Sequence, residues 1–287
     1  MRGWERDRSL AALAVISVVV GGGACAHDSL QTYDAAYEAV VNAPARATEE
    51  GSVRVVASGR LDFSGEPATL QVVGAADTVS GDAVYATTLE TAEFTDAYET
   101  RLVDGVAYTE LLPAPADPTL QNQGIQWVKF ESPEAVSGSI HGGSPTVALA
   151  SLRGAHDVSS LGIERVNGVI TEHYEGEIGV FEARRLTRLD PDRAPDRQWK
   201  IVDAGLDLLG ASPVPVEVWI DERGLVRRQR MKFVGLPGLT GSITMTMDYF
   251  DYGKPVAVVV APPEEETFGV DVGGAFPPSD LASRSYD

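Results

Sequence analysis

From Gly51 onward the chain keeps a period of two, and this alternation limits the fold more than any other feature of the sequence. Val53, Val55, Ala57, Gly59, Leu61 and Phe63 alternate with Arg54, Ser58, Arg60 and Asp62. Residues two apart share one face of a strand, so this segment reads as a long strand with one buried face. Gly65-Glu66-Pro67 turns the chain, Ala68, Leu70 and Val72 resume the pattern, and 84–93 is a third strand rich in Thr. Asp104-Gly105 separates strands at 97–103 and 106–112, and Asn167-Gly168 separates 163–166 from 169–178. Both dipeptides supply the left-handed backbone of a two-residue hairpin turn. A short strand is expected at 126–130. Val216, Val218 and Ile220 alternate with polar partners. Residues 225–233 return with Arg228, Arg230 and Lys232 on one face, Ile243, Met245, Met247 and Tyr249 follow, and 256–260 is the last strand.

Helical spacing is confined to short stretches. Leu30, Tyr33, Tyr37, Val40 and Val41 share one face of a helix over 29–43, with Ser29 as cap and Pro44 as its end. That face either packs on the domain or forms a weak membrane-surface stripe; its polar side carries Asp34 and Glu38 and no basic residue, which favours packing. Residues 144–152 form a short helix with Ser144 as cap and Pro145 at its first position. Residues 180–189 form another, and 190–200 read as a charged loop broken by proline. The sum is about ten antiparallel strands, too many for a small flat sheet, with too few helices for a parallel α/β fold. A single curved antiparallel sheet with helices against one face fits, an α+β arrangement.

The first residues set the compartment. A weakly positive start with Arg2, Arg6 and Arg8 leads into an apolar run from Leu10 to Val20, interrupted by Ser17 alone, then Gly21, Gly22, Gly23, Ala24 and Cys25. The run suits a signal-peptide core and falls short of the roughly 20 residues that span a bilayer. Cys25 is the one cysteine of the chain. The order resembles a bacterial lipoprotein signal, in which the Cys sulfur receives a diacylglyceryl group and cleavage occurs just before it. The expected organisation is a signal peptide at 1–24, the lipidated Cys25 with tether and amphipathic helix at 25–50, a folded domain at 51–262 and an acidic flexible tail at 263–287. The protein would then sit on the outer face of the cell membrane. Ala24-Cys25-Ala26 also fits cleavage before His27, which would give a secreted protein.

Composition removes whole classes of function. Hydrophobic residues make up 44% of the 287 residues, enough to build a core rather than a disordered chain. Acidic residues number 42 against 23 basic ones, a net charge of −19, which repels nucleic acid and gives no general attraction to anionic lipid. Cys25 alone cannot form an intrachain disulfide or a thiolate metal cluster. No nucleophile elbow, zinc-helix motif, EF-hand loop or phosphate loop is present. His141, His156 and His173 are well separated, and paired acids such as Glu172 and Glu175 carry no signal in so acidic a chain. No cofactor, no metal and no enzymatic activity are expected. Met231, Phe233, Met245 and Met247 give the late strands an adaptable apolar face, which is either ordinary core or the wall of a ligand cavity.

Three late segments add a resemblance. Val166-Asn-Gly-Val-Ile-Thr-Glu-His-Tyr-Glu-Gly-Glu177, Val214-Pro-Val-Glu-Val-Trp-Ile-Asp-Glu-Arg-Gly-Leu-Val-Arg228 and Met245-Thr-Met-Asp-Tyr-Phe-Asp-Tyr-Gly-Lys-Pro-Val256, followed by Pro262-Pro263, resemble the actinobacterial LppX/LprG-type lipoproteins, relatives of the LolA-like carriers. The resemblance runs from about residue 160 to 266 and is architectural before that. It implies a half-barrel antiparallel sheet with helices across its concave face and an apolar space between them that holds a lipid or lipoglycan. It implies non-catalytic carriage or presentation of that lipid in the cell envelope. The family transfers no defined cavity residues. Alternation nominates Val55, Leu61, Phe63, Leu70, Val72, Leu149, Leu152, Phe181, Val218, Ile220, Met231, Phe233, Met245 and Met247 as cavity candidates. The alternative is an envelope sensor or protein-interaction module with the same fold, a protein partner and no lipid.

Overall fold

The computed structural model describes residues 24–270, apart from 64–65, 112–119, 121, 133–143, 190–195, 211, 235–241 and 258. Twelve strands form one sheet: β1 Ser52–Phe63, β2 Glu66–Asp77, β3 Ala83–Glu90, β4 Thr95–Val103, β5 Val106–Glu110, β6 Trp127–Phe130, β7 Ala155–Val166, β8 Val169–Ile178, β9 Val214–Asp221, β10 Val226–Val234, β11 Ser242–Phe250 and β12 Thr267–Val270. Their spatial order is β12-β6-β5-β4-β3-β2-β1-β11-β10-β9-β8-β7. The chain thus winds outward from β1 to β6, crosses through helices to the far edge at β7, and returns to close β11 against β1. All ladders are antiparallel except β12 on β6. The two hairpin dipeptides behave as their chemistry requires: Asp104 and Gly105, and Asn167 and Gly168, all take positive φ.

Among the described residues four α-helices are placed beside the sheet: α1 Ala24–Glu49, α2 Pro145–Ser151, α3 Val180–Leu189 and α4 Asp196–Leu208. α1 packs on β7, β9 and β1, while α2, α3 and α4 pack on one another. No helix among the described residues is long and apolar enough to cross a membrane.

The structure departs from the sequence-based expectation in particular places. α1 begins at Ala24 rather than Ser29 and continues through Pro44 to Glu49. Proline removes one helix hydrogen bond, but Ala43 and Ala47 on either side are each 1% exposed, and their packing keeps the helix intact. The charged stretch 190–200 gives way to a helix, α4, from Asp196. Residues 256–257 and 259–260 form no strand, and β11 is paired on both sides by β10 and β1. The chain enters the sheet later, where Thr267–Val270 pairs with Trp127–Phe130 in the stretch expected to be tail. Residues 271–287 of that expected tail and residues 1–23 of the expected signal peptide 1–24 lie outside the described residues.

α3 and α4 are joined by an arginine clamp. Arg184 donates from Nε and Nη2 to the two carboxylate oxygens of Asp203 at 2.8 Å each, and Arg188 Nη2 donates to the same carboxylate at 2.9 Å. These bonds, Arg184 foremost, hold the Asp203 carboxyl below the usual carboxylate range despite its partial burial. A carboxylate whose folded pKa is depressed contributes stability above its unfolded pKa of about 3.9 and loses that contribution as acid protonates it. The difference in unfolding free energy between the native protein and Asp203→Asn is therefore expected to be full at pH 7 and to shrink below about pH 4. Urea titrations of both proteins at pH 7 and pH 3 check it; an unchanged difference would mean that the clamp is not electrostatic.

Candidate functional site

The face of the sheet covered by the helices is a set of apolar rows, each one residue deep and many strands wide. Register places Tyr174, Val218, Gln229, Met247, Ala57, Val72, Thr87 and Tyr98 side by side across eight strands. A parallel row runs Val216, Met231, Met245, Gly59, Leu70 and Leu89. A third runs Tyr249, Val55, Gly74, Tyr85 and Thr100. Alternation produces these rows: Arg54, Ser58, Arg60, Arg230 and Lys232 take the opposite face and are exposed.

Two glycines shape the interior. A Cβ on Gly59 would stand 2.1 Å from Met245 Sδ, and one on Gly74 would stand 2.4 Å from the Tyr85 ring. The missing side chains let Met245 and Tyr85 lie down on the sheet. Above them α2 is fixed by Gln229, fully buried, whose Nε2 donates to the Ala148 carbonyl at 3.0 Å while its Oε1 accepts from the Tyr249 hydroxyl at 3.3 Å. Burial pushes the phenols of Tyr85 and Tyr249 upward, so both remain neutral, and pushes Tyr98 up to about 12. α4 comes down on α2 where Gly205 meets the Val147 side chain.

The sequence-nominated residues distribute as follows. Val55, Leu70, Val72, Leu149, Leu152, Val218, Ile220, Met231, Phe233, Met245 and Met247 are all buried in one cluster between sheet and helices, and Leu61 packs against its border. The Phe63 side chain lies outside the described residues. Phe181 is placed elsewhere: it is 70% exposed, and α3 buries Val180 and Ala183 instead. Val180 and Ala183, three residues apart, form the face of α3 that meets the Leu152–Gly154 turn, where a Cβ on Gly154 would stand 2.6 Å from the Ala183 nitrogen, and Phe181 falls off that face. Gln229, Tyr85, Tyr249 and the two glycines were not nominated. Gln229 had a signal, since alternation with Arg228 and Arg230 sets it on the face of Met231; Gly59 and Gly74 had none short of the register.

The opposite face carries a polar cluster. His173 stacks on Trp219 with ring centroids 4.0 Å apart, Nδ1 lies 3.1 Å from Glu164 Oε1, and Nε2 lies 3.3 Å from Glu217 Oε2. Trp219 Nε1 donates to Glu164 Oε2 at 2.9 Å, and this bond, with that of His173, holds the Glu164 carboxyl below the usual range. Arg228 continues the row to Asp248. Glu172 and Glu175 accept from Ser160 and Ser159, so the paired acids of the sequence serve the β7–β8 hairpin. His156, Asp157 and Glu177 bring ligand atoms within 4.8 Å of one another, His156 opposite Glu177 in register. They are largely exposed, and the Nδ1 contact of His156 with Asp157 at 3.1 Å accounts for their grouping. His141 lies outside the described residues. A groove of about 440 Å³ beside Glu175, Glu217 and Arg230 opens on this face, and another of about 320 Å³ lies along α3.

No protein-family model matches the chain. A 31.2 kDa protein of Streptomyces griseus, from the rplA–rplJ intergenic region, is 26% identical over 148 residues, covering 46% of this chain. The chain spans 45% of the length of that curated relative. Among solved structures, LprF from Mycobacterium bovis is similar with 15% identity and a TM-score of 0.44, over 78% of this chain and 95% of that one. The lipoprotein LppX from Mycobacterium tuberculosis is similar with 15% identity and a TM-score of 0.39, over 78% of this chain and 98% of that one. The single sheet with its helix layer is established by the strand order and packing of this chain itself, and its apolar interior is the candidate functional site.

Proposed function

We propose that this protein is a membrane-anchored, non-catalytic envelope lipoprotein that takes the acyl part of a lipid or lipoglycan between its sheet and its helices and carries or presents it. The observation that supports the reading is the composition of the interior. Three of the chain's four methionines, Met231, Met245 and Met247, sit together on β10 and β11, and Met245 rests in the space left by Gly59. Unbranched thioether side chains repack at low cost, so this wall can yield to an acyl chain as the helices rise. Each buried methylene contributes about 0.8 kcal/mol, which holds a lipid in a membrane and equally in a dry protein interior. Cys25, acylated, keeps the carrier at the outer face of the membrane from which the lipid comes.

Gly59→Leu tests the site. The new side chain must displace the Met245 thioether into the interior and use the volume that the ligand needs. Bound lipid is expected to fall at least tenfold while the circular dichroism of the sheet persists; unchanged lipid content in a folded variant would place the ligand elsewhere. The second reading, a sensor or protein-interaction module, is favoured by one observation: the interior residues are only 0–8% exposed, so the described core is closed to solvent. A protein captured specifically by the purified chain, with no lipid in it, would establish that reading.

A further inference from the structure

The outward side of α3 combines exposed apolar and basic side chains on one helix. Phe181 and Leu189 are 70% and 65% exposed, while Val180 and Ala183 are buried beneath them. Between the two apolar residues lie Arg184, Arg185 and Arg188, and together the five line the groove of about 320 Å³. In a chain of net charge −19, this helix has three arginines against one glutamate. Arg184 is committed to α4, its side chain 23% exposed and bound to Asp203. Arg185 and Arg188 stand more open, at 57% and 51% exposed, on Glu182 and Asp203. The Arg185–Glu182 pair is exposed on both sides and contributes little, so this guanidinium can exchange its carboxylate for a phosphate at small cost, while Arg188 keeps Asp203 and offers its outer edge.

The position of α3 bears on what meets it. α3 and α1 both pack on the turn Leu152–Gly154, and α1 carries Cys25 in its first turn. Tyr37 of α1 contributes to the electrostatic surroundings of Arg185. The helix from Tyr37 back to Cys25 rises about 18 Å. An acyl group on Cys25 would therefore hold α3 close to a bilayer.

We propose that the outward face of α3 docks on an anionic phospholipid surface, with Phe181 and Leu189 entering the boundary between headgroups and acyl chains and Arg185 and Arg188 meeting lipid phosphates. Apolar side chains flanked by arginine on one face of a helix have the chemistry of an interfacial helix. Local neutrality at the arginine clamp lets this face approach a surface that repels the rest of the protein. The helix layer over the interior is then the side that meets the membrane. The inference rests on the acyl anchor at Cys25 and is tested apart from it.

The full chain with its own N-terminus is mixed with vesicles of phosphatidylcholine and phosphatidylglycerol, 7:3, and with vesicles of phosphatidylcholine alone. Flotation reads the anchor, and amide hydrogen exchange over 180–189 reads the docking. The expected result is flotation with both vesicles and exchange in 180–189 slowed at least fivefold on the anionic ones. That protection should be lost in the double variant Phe181→Asp, Leu189→Asp, which still floats. Flotation with unchanged exchange in 180–189 would overturn the docking and leave the anchor standing. Failure to float would overturn both. Protection that appears only on adding a second protein would assign the face to a protein partner and overturn the bilayer.

Discussion

Replacing Cys25 by alanine is expected to stop processing at that site and to leave either a soluble protein, almost wholly in the aqueous phase, or an uncleaved one that keeps the apolar run from Leu10 to Val20. Two acyl chains hold a protein on a membrane stably where one does not, at about 0.8 kcal/mol for each buried methylene. Nothing else in the described chain supplies comparable affinity. No described helix can span a bilayer, and the net charge of −19 opposes general binding to anionic lipid. The exposed face of α3 adds contact once the anchor is in place, but two apolar side chains cannot replace two acyl chains. Detergent phase partitioning of native and Cys25→Ala protein, with N-terminal sequencing, checks this. A native protein found in the aqueous phase with a free His27 at its start would leave a diffusing carrier in place of an anchored one.

Asp221→Ala is expected to destabilise the fold by about 3–5 kcal/mol. The Asp221 side chain is 3% exposed at the β9–β10 turn. Its Oδ1 accepts from the backbone N–H of Arg223 at 2.9 Å and of Leu225 at 3.0 Å, which fixes the turn. Its Oδ2 accepts from Arg227 Nε and Nη2 at 2.8 and 2.6 Å. The guanidinium in turn lies 5.4 Å from the centre of the Tyr252 ring, whose hydroxyl donates to the Val226 carbonyl. Truncation leaves a mostly buried cation and two turn amides without their acceptor, and such removal costs more than the pair itself contributes. In a domain of this size the loss lowers the melting temperature by roughly 10 °C. A shift below 2 °C in thermal unfolding would show that water replaces the carboxylate.

The parts of this fold that were legible in the sequence share a local cause. Asp104-Gly105 and Asn167-Gly168 announce their turns because few other residues take positive φ, and the rows of the interior follow from a period of two. Where the structure departs, a distant part of the chain decides. Pro44 ends a helix in isolation; here the alanines beside it are buried and the helix runs on. Phe181 suits a core by its own nature, yet the face of α3 that packs inward is the one through Val180 and Ala183. Residues 256–260 have the pattern of a strand, yet it is 267–270 that takes the free edge of β6. Of the candidate site, the apolar wall could be read from alternation. Gln229 could have been read the same way, but a polar residue on an apolar face invites dismissal until its partners at Ala148 and Tyr249 are seen. The roles of Gly59 and Gly74 depend on which strands are neighbours, and β1 against β11 joins segments nearly two hundred residues apart.

The measurement that bears most directly on the central claim is mass spectrometry of the non-covalent lipid extracted from the full chain, purified in mild detergent from an actinobacterial host. Lipid carriage in the interior predicts about one molecule of a defined acylated lipid per protein, retained through Cys25→Ala and lost in Gly59→Leu. Recovery of no stoichiometric lipid from the native protein, or of the same lipid in equal amount from folded Gly59→Leu, would contradict it.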